Sequence, residues 1–272
     1  MRKVAAIVLG ILALSLVVVG CGGKTEAPAP AQKKVVLKVG ATAVPHAEIL
    51  KAIQPLLAKD NIDLQVVEFS DYVRPNLALA DKELDANYFQ HIPYLQQFSA
   101  DRKLDLTYTV AVHIEPMGIY SKKIKNLNEL ADGATIAIPN DPTNGGRALA
   151  LLAQAGLIKI KDGVGVKGTV KDITANPKKL VIKELEAPLL PRALDDVAAA
   201  VVNTNYALEA KLVPAKDALF LEQKDSPYAN ILTVRKGDEK RPEIEKLSKA
   251  LTSPEAKKFI EDKYQGAIVP AF

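Results

Sequence analysis

The sequence predicts an α/β fold with largely parallel sheets, and three observations lead there. From Val35 onward, β-rich runs alternate with runs of helical apolar spacing, the pattern of strands joined by crossover helices. After residue 134 the alternation is taken up again. The third observation is an internal echo: "LALADKELDANYFQ" and "LPRALDDVAAAVVNTNYA" each run from a Leu/Ala helix through Leu-Asp into an apolar strand ending in Asn and Tyr. The echo is either a chance likeness of two ordinary α/β units or the mark of two similar lobes. In the second reading each lobe presents polar and aromatic groups at a strand's carboxyl end, where open α/β sheets bind ligands.

Taken in order, "VVLKVGAT" is strand, "HAEILKAIQPLLAKD" helix, "IDLQVVEFS" strand, "YVRPNLALADKE" helix and "DANYF" a short strand. "IPYLQQFSADR" is helical, and "LTYTVAVHI" and "MGIYSK" are extended. In the second half, "ATIAIPN", "KLVIKEL" and "VAAAVVNTN" read as strands, "GRALALLAQAGLI" and "LPRALDD" as helices. "NILTVRK" is a last strand, placed back with the first lobe, and two helices follow in "EIEKLSKALTSPEAKKFIEDKY". The expected organisation is a first lobe over 35–122, to which 226–272 return, and a second lobe over 123–225.

The amino terminus, "MRKVAAIVLGILALSLVVVGCGG", has a basic start and an unbroken apolar run from Val4 to Val19. That is a secretory signal sequence over 1–20; as a membrane-spanning anchor the run is near the short end. Its close, "VVGC", resembles a bacterial lipobox, in which the cysteine is lipidated and becomes the first mature residue. Cys21 is the single cysteine of the chain, so it can form no internal disulfide, and lipidation accounts for an unpaired thiol in an exported protein. Loss of residues 1–20 removes Arg2 and Lys3, taking the formal charge from +4 to +2. The stretch through Lys34, rich in Gly, Pro and Ala without periodicity, reads as a flexible tether from a membrane surface.

Composition and motifs narrow the function. Lys and Arg are scattered rather than striped, so no nucleic-acid partner is expected. "GVGVKG", residues 163–168, has dinucleotide-motif spacing, but it follows a helix and opens none, so it reads as a loop. There is no G-x-S-x-G, and no lysine precedes Thr169 as a phosphate loop requires. His46, His91 and His113 could converge with Glu115 on a metal. No local ligand spacing supports it, and no metal, cofactor or catalytic residue is assigned.

"IPNDPTNGGRALALL", residues 138–152, is the informative stretch. It places Arg147 in the first turn of an expected helix, where positive charge opposes the macrodipole. Arg147 is either a surface arginine whose stem covers the helix or part of an anion site. Three features favour the site. Thr143 or Asn144 can cap the helix, Gly145 and Gly146 leave its backbone approachable, and the guanidinium matches a carboxylate bidentately. Four of the chain's eight tyrosines and six phenylalanines fall in 88–98. They can serve core packing, or Tyr72, Tyr88, Phe89, His91 and His113 can form an aromatic wall opposite Arg147. Such a wall suits a flat or polarizable side chain, a thioether included. An anion clamp facing an aromatic wall describes an amino-acid binder.

The lipobox, "NYFQHIPYL", "VHIEPMGIYSKKIK", "IPNDPTNGGRALALL", "ELEAPLLPRALDDVAAAVVNTNYA" and "DSPYANIL" together resemble the NlpA family, the methionine-binding lipoproteins of ABC importers. The resemblance implies a periplasmic-binding-protein type II fold, two α/β lobes closing on a ligand. It further implies that Arg147 holds the ligand carboxylate, that Asn203 and Asn230 contact its polar end, and that Tyr72, Phe89 and His91 line the side-chain pocket. Some members have Phe-Val-Tyr before the proline where this chain has His113-Ile114-Glu115, which alters one pocket wall. That departure leaves L-methionine, D-methionine and a methionine dipeptide all open. Asn205, a threonine in some members, is expected outside direct contact. The expected partners are a permease and ATPase complex and a membrane held through the lipid. The chain is expected to act as a monomer, outside the cytoplasm and without chemistry of its own.

Overall fold

The structure, a computed structural model, describes residues 34–223 and 227–272. The signal sequence, the Cys21 lipidation site and the tether up to Lys33 lie outside the described residues. In chain order the elements begin with β1 (Val35–Thr42), α1 (Glu48–Lys59), β2 (Ile62–Phe69), α2 (Arg74–Ala80), β3 (Ala86–His91), α3 (Ile92–Arg102) and β4 (Leu106–Ile114). There follow β5 (Gly118–Tyr120), β6 (Thr135–Pro139), α4 (Pro142–Gln154), β7 (Lys159–Ile160), β8 (Ile173–Ala175), β9 (Val181–Leu185), α5 (Leu190–Ala193) and β10 (Ala199–Val202). The chain closes with α6 (Thr204–Glu209), α7 (Pro214–Asp217), β11 (Ala218–Leu221), β12 (Ala229–Arg235), α8 (Pro242–Leu251), α9 (Pro254–Tyr264) and β13 (Val269–Pro270).

These strands form two main sheets and one small hairpin, β7 with β8. The six-stranded sheet has the order β13-β4-β12-β3-β1-β2 and the five-stranded sheet the order β11-β5-β10-β6-β9. Each has a parallel centre, β3-β1-β2 in one and β10-β6-β9 in the other. To each centre are added antiparallel strands: β12 against β3 and β4, and β5 against β10 and β11. The sheets are therefore mixed rather than largely parallel. The chain leaves the first sheet after Ile114, enters the second at Gly118, and returns between Leu221 and Ala229. The first crossing thus lies a few residues ahead of the boundary expected after 122, because Gly118–Tyr120 pairs with β10.

The apolar spacing explains the core. In α1 the buried residues Ile49, Leu50, Ile53 and Leu57 fall on one face, and in α8 and α9 Ile244, Leu247, Leu251, Ala256 and Ile260 do the same. These faces meet Leu37, Val39 and Ala41 of β1 in one cluster. β3, buried at all six positions, sits inside the sheet with neighbours on both sides. The second sheet is covered by α4 on one face and by the α5 and α6 region on the other. No helix among the described residues is long and apolar enough to cross a membrane.

One helix differs from expectation in a way that matters for function. α4 begins at Pro142, four residues before the predicted start, and Asp141 caps it: Asp141 Oδ1 accepts from the Asn144 backbone N–H at 2.9 Å. Proline at the first helical position suits this, since its missing N–H would have no helical partner. Thr143 and Asn144 are thus inside the helix rather than capping it, and Arg147 lies in its second turn. The glycine pair also has another purpose. A Cβ on Gly146 would stand 2.2 Å from the Val166 carbonyl oxygen, and one on Gly145 3.0 Å from that of Pro139. The 163–168 loop, expected to be no nucleotide site, is what packs against this glycine. Gly146→Ala is accordingly expected to lower stability by about 1–3 kcal/mol through overpacking against backbone that cannot rotate away. Urea unfolding measures it, and an unchanged midpoint would show that the loop yields freely.

Candidate ligand-binding site

The carboxyl ends of the parallel strands of both sheets converge on one enclosed space, the place where α/β sheets bind ligands. His91 ends β3, Asn203 follows β10, Tyr72 lies beyond β2, and Asn144 and Arg147 are carried by the helix after β6. The cavity holds about 350 Å³ of atom-free space, including some open to solvent, and Tyr72, Phe89, His91, Tyr94, Glu115, Arg147, Asn203, Asn205 and Asn230 are among its lining residues.

One wall is aromatic. The Tyr72 ring stands 6.0 Å from that of Phe89 and 5.9 Å from that of Tyr94, and the Tyr94 hydroxyl donates to the Tyr72 carbonyl at 2.9 Å. His91 closes this wall. Its Nδ1 accepts from the Tyr94 backbone N–H at 3.2 Å, which starts α3, and its Nε2–H donates to Asn144 Oδ1, also at 3.2 Å. The second partner is a pure acceptor, so the Nε2–H tautomer is required. Burial, helped by the nearby Arg147 charge, pushes His91 down to about 3, which keeps the ring neutral. Asn144 Oδ1 also accepts from Asn203 Nδ2 at 2.9 Å, and Asn144 Nδ2 donates to both Asp141 oxygens at 3.0 Å.

Arg147 stands at the polar end, 4% exposed, but its fork is not free. Nε donates to Glu222 Oε1 at 3.0 Å, Nη2 pairs with Glu222 Oε2, and Nη2 also donates to the Glu115 carbonyl at 2.8 Å. The Tyr228 ring lies 4.1 Å from the guanidinium carbon, within cation–π range. Nη1 has no partner among the described residues. The expected bidentate clamp is therefore already occupied: one edge holds a protein carboxylate, the second Nη2 hydrogen goes to the Glu115 carbonyl, and Nη1 is what remains.

Six of the seven expected binding residues, Tyr72, Phe89, His91, Arg147, Asn203 and Asn230, line the cavity; His113 does not. His113 is fully buried inside β4, with Nε2 2.7 Å from Glu115 Oε1 and Nδ1 bonded to the Tyr88 hydroxyl. Held by both ring nitrogens, it stands behind the wall, and Tyr88 with it. Glu115, beyond the strand's end, reaches the cavity in its place. His46 joins from the segment before α1: Nδ1 is 2.7 Å from Thr42 Oγ1, and Nε2 is 3.1 Å from Asn230 Oδ1 and 3.2 Å from Glu115 Oε1. His46, His113 and Glu115 thus bring potential metal ligands within 4.8 Å of one another, without His91. Asn205, expected outside direct contact, also lines the space: its backbone N–H donates to Glu115 Oε2 at 3.0 Å and its Oδ1 accepts from the Tyr72 hydroxyl at 2.6 Å.

Two buried polar atoms of lining residues lack a hydrogen-bond partner, the acceptor Asn203 Oδ1 and the donor Asn205 Nδ2. Buried polar atoms are rarely left so. Together with a guanidinium edge and a carboxylate, they suit a ligand that both donates and accepts. The sequence placed Glu115 only in an altered pocket wall or on a metal, and it did not mark Tyr94 as a lining group or Glu222 and Tyr228 as partners of Arg147. Glu115 carried a usable signal, an acidic residue immediately before Pro116 in an otherwise apolar stretch. Glu222 carried none.

Two α/β halves joined by two crossings, with a ligand-sized space between their strand ends, make this a periplasmic-binding type II fold. The chain belongs to the NlpA lipoprotein family, whose model matches residues 37–272. It is 46% identical over 265 residues to the methionine-binding lipoprotein MetQ of Bacillus subtilis, covering 96% of each chain. It is 45% identical over 258 residues to a probable D-methionine-binding lipoprotein MetQ of Vibrio cholerae, covering 94% of each. Among solved structures, a Burkholderia cenocepacia nutrient-binding protein bound to methionine is 48% identical with a TM-score of 0.84, over 87% of this chain and 100% of that one. A periplasmic substrate-binding protein of an ABC transporter from Coxiella burnetii is 42% identical with a TM-score of 0.83, over 86% of this chain and 100% of that one.

The buried histidines give this site a pH signature. His46 is pushed down to about 4 and His91 and His113 to about 3, burial being the largest cause each time. Below the unfolded value near 6.5, the unfolded chain takes up protons that the native chain refuses, so stability falls as pH falls. Each histidine contributes a slope approaching ~1.4 kcal/mol per pH unit until its folded value is reached. Burial raises Glu115 and Asp141, and their contribution has the opposite sign, stability being lost as pH rises through the raised values. Urea unfolding between pH 6.5 and 5 is expected to show a shallower pH slope for His91→Gln than for the wild type, by about one proton. Equal slopes would mean that His91 is charged in the native state.

Proposed function

We propose that this chain is a lipid-anchored methionine-binding protein that hands its ligand to an ABC importer. The observation that carries the reading is the division of one enclosed cavity into an aromatic wall and a polar end of opposite charges. Tyr72, Phe89, His91 and Tyr94 suit the polarizable thioether. At the polar end, Arg147 Nη1 and Asn205 Nδ2 face the α-carboxylate. Glu115 and Asn203 Oδ1 face the α-ammonium. Relatives named for methionine binding, and one solved with methionine bound, support the same ligand.

The two lobes are residues 35–116 with 227–272, and residues 117–223, hinged at the two crossings. Cross-cleft bonds such as Tyr72 Oη–H to Asn205 Oδ1, at 2.6 Å, and Tyr206 Oη–H to the Ser70 carbonyl, at 3.1 Å, belong to the closed form. A ligand favours that form only through contacts it lacks in the open one. Cys21 carries the lipid, and the folded part works as a monomer outside the cytoplasm, docking on a permease and its ATPase. The protein binds and releases its ligand unchanged.

Arg147→Ala alone would strand the Glu222 carboxylate, at a stability cost of about 3–5 kcal/mol. The clamp is better tested in the Arg147→Met/Glu222→Gln double variant, which removes both charges. Calorimetry is expected to show methionine binding weakened at least about a hundredfold, the equivalent of ~2.7 kcal/mol. Near wild-type affinity in the folded double variant would remove Arg147 from the site. Phe89→Ala is expected to weaken methionine more than alanine, and equal losses for the two ligands would take Phe89 out of the side-chain wall.

A further inference from the structure

We infer that His46 and His113 are positioning residues that hold the Glu115 carboxylate as the acceptor of a ligand's ammonium group, and so make this site selective for a free α-amine. The inference rests on the reading above that Glu115 faces the ligand ammonium.

Both imidazoles direct Nε2 at the same oxygen, Glu115 Oε1, at 2.7 Å from His113 and 3.2 Å from His46. A carboxylate oxygen accepts, so each Nε2 carries the hydrogen, and the neutral ring then leaves Nδ1 as an acceptor. The other side of each ring matches that assignment. The Tyr88 hydroxyl donates to His113 Nδ1 and the Thr42 hydroxyl to His46 Nδ1. The same Nε2–H groups have no lone pair to offer a cation, so these rings act as donors to the carboxylate rather than as metal ligands. Asn230 Oδ1 shares the His46 hydrogen at 3.1 Å, which ties a second cavity-lining residue to the same ring.

Glu115 needs this support. Its side chain is buried, and burial alone favours the neutral acid, which would present a donor to an ammonium instead of an acceptor. Around it stand His46 before α1, His113 on β4, the Asn205 backbone N–H at the start of α6, Arg147 on α4 and Tyr88 on β3. Of the side chains in this set, the two histidines are the ones that donate directly to the carboxylate. Neither lines the cavity, so their effect on a ligand must pass through Glu115 and Asn230.

The test compares L-methionine with 4-(methylthio)butanoic acid, which lacks only the amino group, by calorimetry on the full chain in detergent. Wild type is expected to prefer methionine strongly, and Glu115→Gln to lose most of that preference. His113→Leu and His46→Leu are each expected to weaken methionine at least about tenfold while changing the deamino ligand less than about twofold. His113→Gln, whose amide nitrogen reaches the place of Nε2, is expected to restore most of the loss. If the leucine variants do not fold, His113→Asn replaces them: its amide reaches only the Nδ1 position, and the same selective loss is expected.

A parallel loss for both ligands in the histidine variants would overturn the positioning role and leave only a structural one. No preference in the wild type would instead overturn the Glu115 reading itself. A wild-type preference that vanishes in Glu115→Gln but persists in every histidine variant would leave that reading standing and refute this inference.

Discussion

Arg147 carries a guanidinium cation that is 4% exposed between two sheets, so its surroundings must neutralise it. They do so from both crossings of the chain at once. Nη2 binds the Glu115 carbonyl where the chain leaves the first sheet, and Nε and Nη2 bind Glu222 where it starts back. Tyr228, further along the same return, covers the guanidinium face. One cation therefore ties together the two connections between the sheets. The same residue lines the cavity, so the cavity wall and the join between the sheets share a single group.

A buried ion pair of this kind is poor evidence of stability, because desolvation consumes much of the attraction. Its value here lies in direction. With one edge of the fork satisfied by Glu222, the guanidinium plane is set by the protein's own groups. Glu115 is treated in the same manner from the opposite side, with both oxygens engaged by N–H groups of the protein. The cavity thus carries a cation and a carboxylate that are each held by the protein's own groups. The orphaned atoms Asn203 Oδ1 and Asn205 Nδ2 mark where the protein alone leaves polar groups unpaired.

Much of this was legible in the chain. Apolar patterning located β1, β2, β3, β4, α1, α3, α8 and α9 within a residue or two, most clearly in α1, α8 and α9, where one apolar face is buried. The shorter elements β7, β8, β11 and β13 have two to four residues, too few to show any period. The start of α4 was misjudged through its glycines. These suggest a loop in sequence, whereas in the fold they let the 165–168 backbone lie against the helix. Tyr72, Phe89, His91 and Arg147 stood out because aromatics beside a strand end and a cation beside a helix start are unusual in themselves.

What the sequence determined by itself is the α/β class, the residues with faces to bury, and the local groups able to grip a zwitterion. Only the tertiary structure decided which partners those groups have. His113 was expected to face the ligand and instead supports Glu115, and the fork of Arg147 was expected to be free and instead holds Glu222. Both outcomes come from contacts between residues two apart at a strand's end or 75 apart across a crossing. Local periodicity reports which face of an element is apolar. It carries no information on which distant polar group will be buried beside that face, and burial of charge, which forces such groups to pair, acts only once the chain has folded.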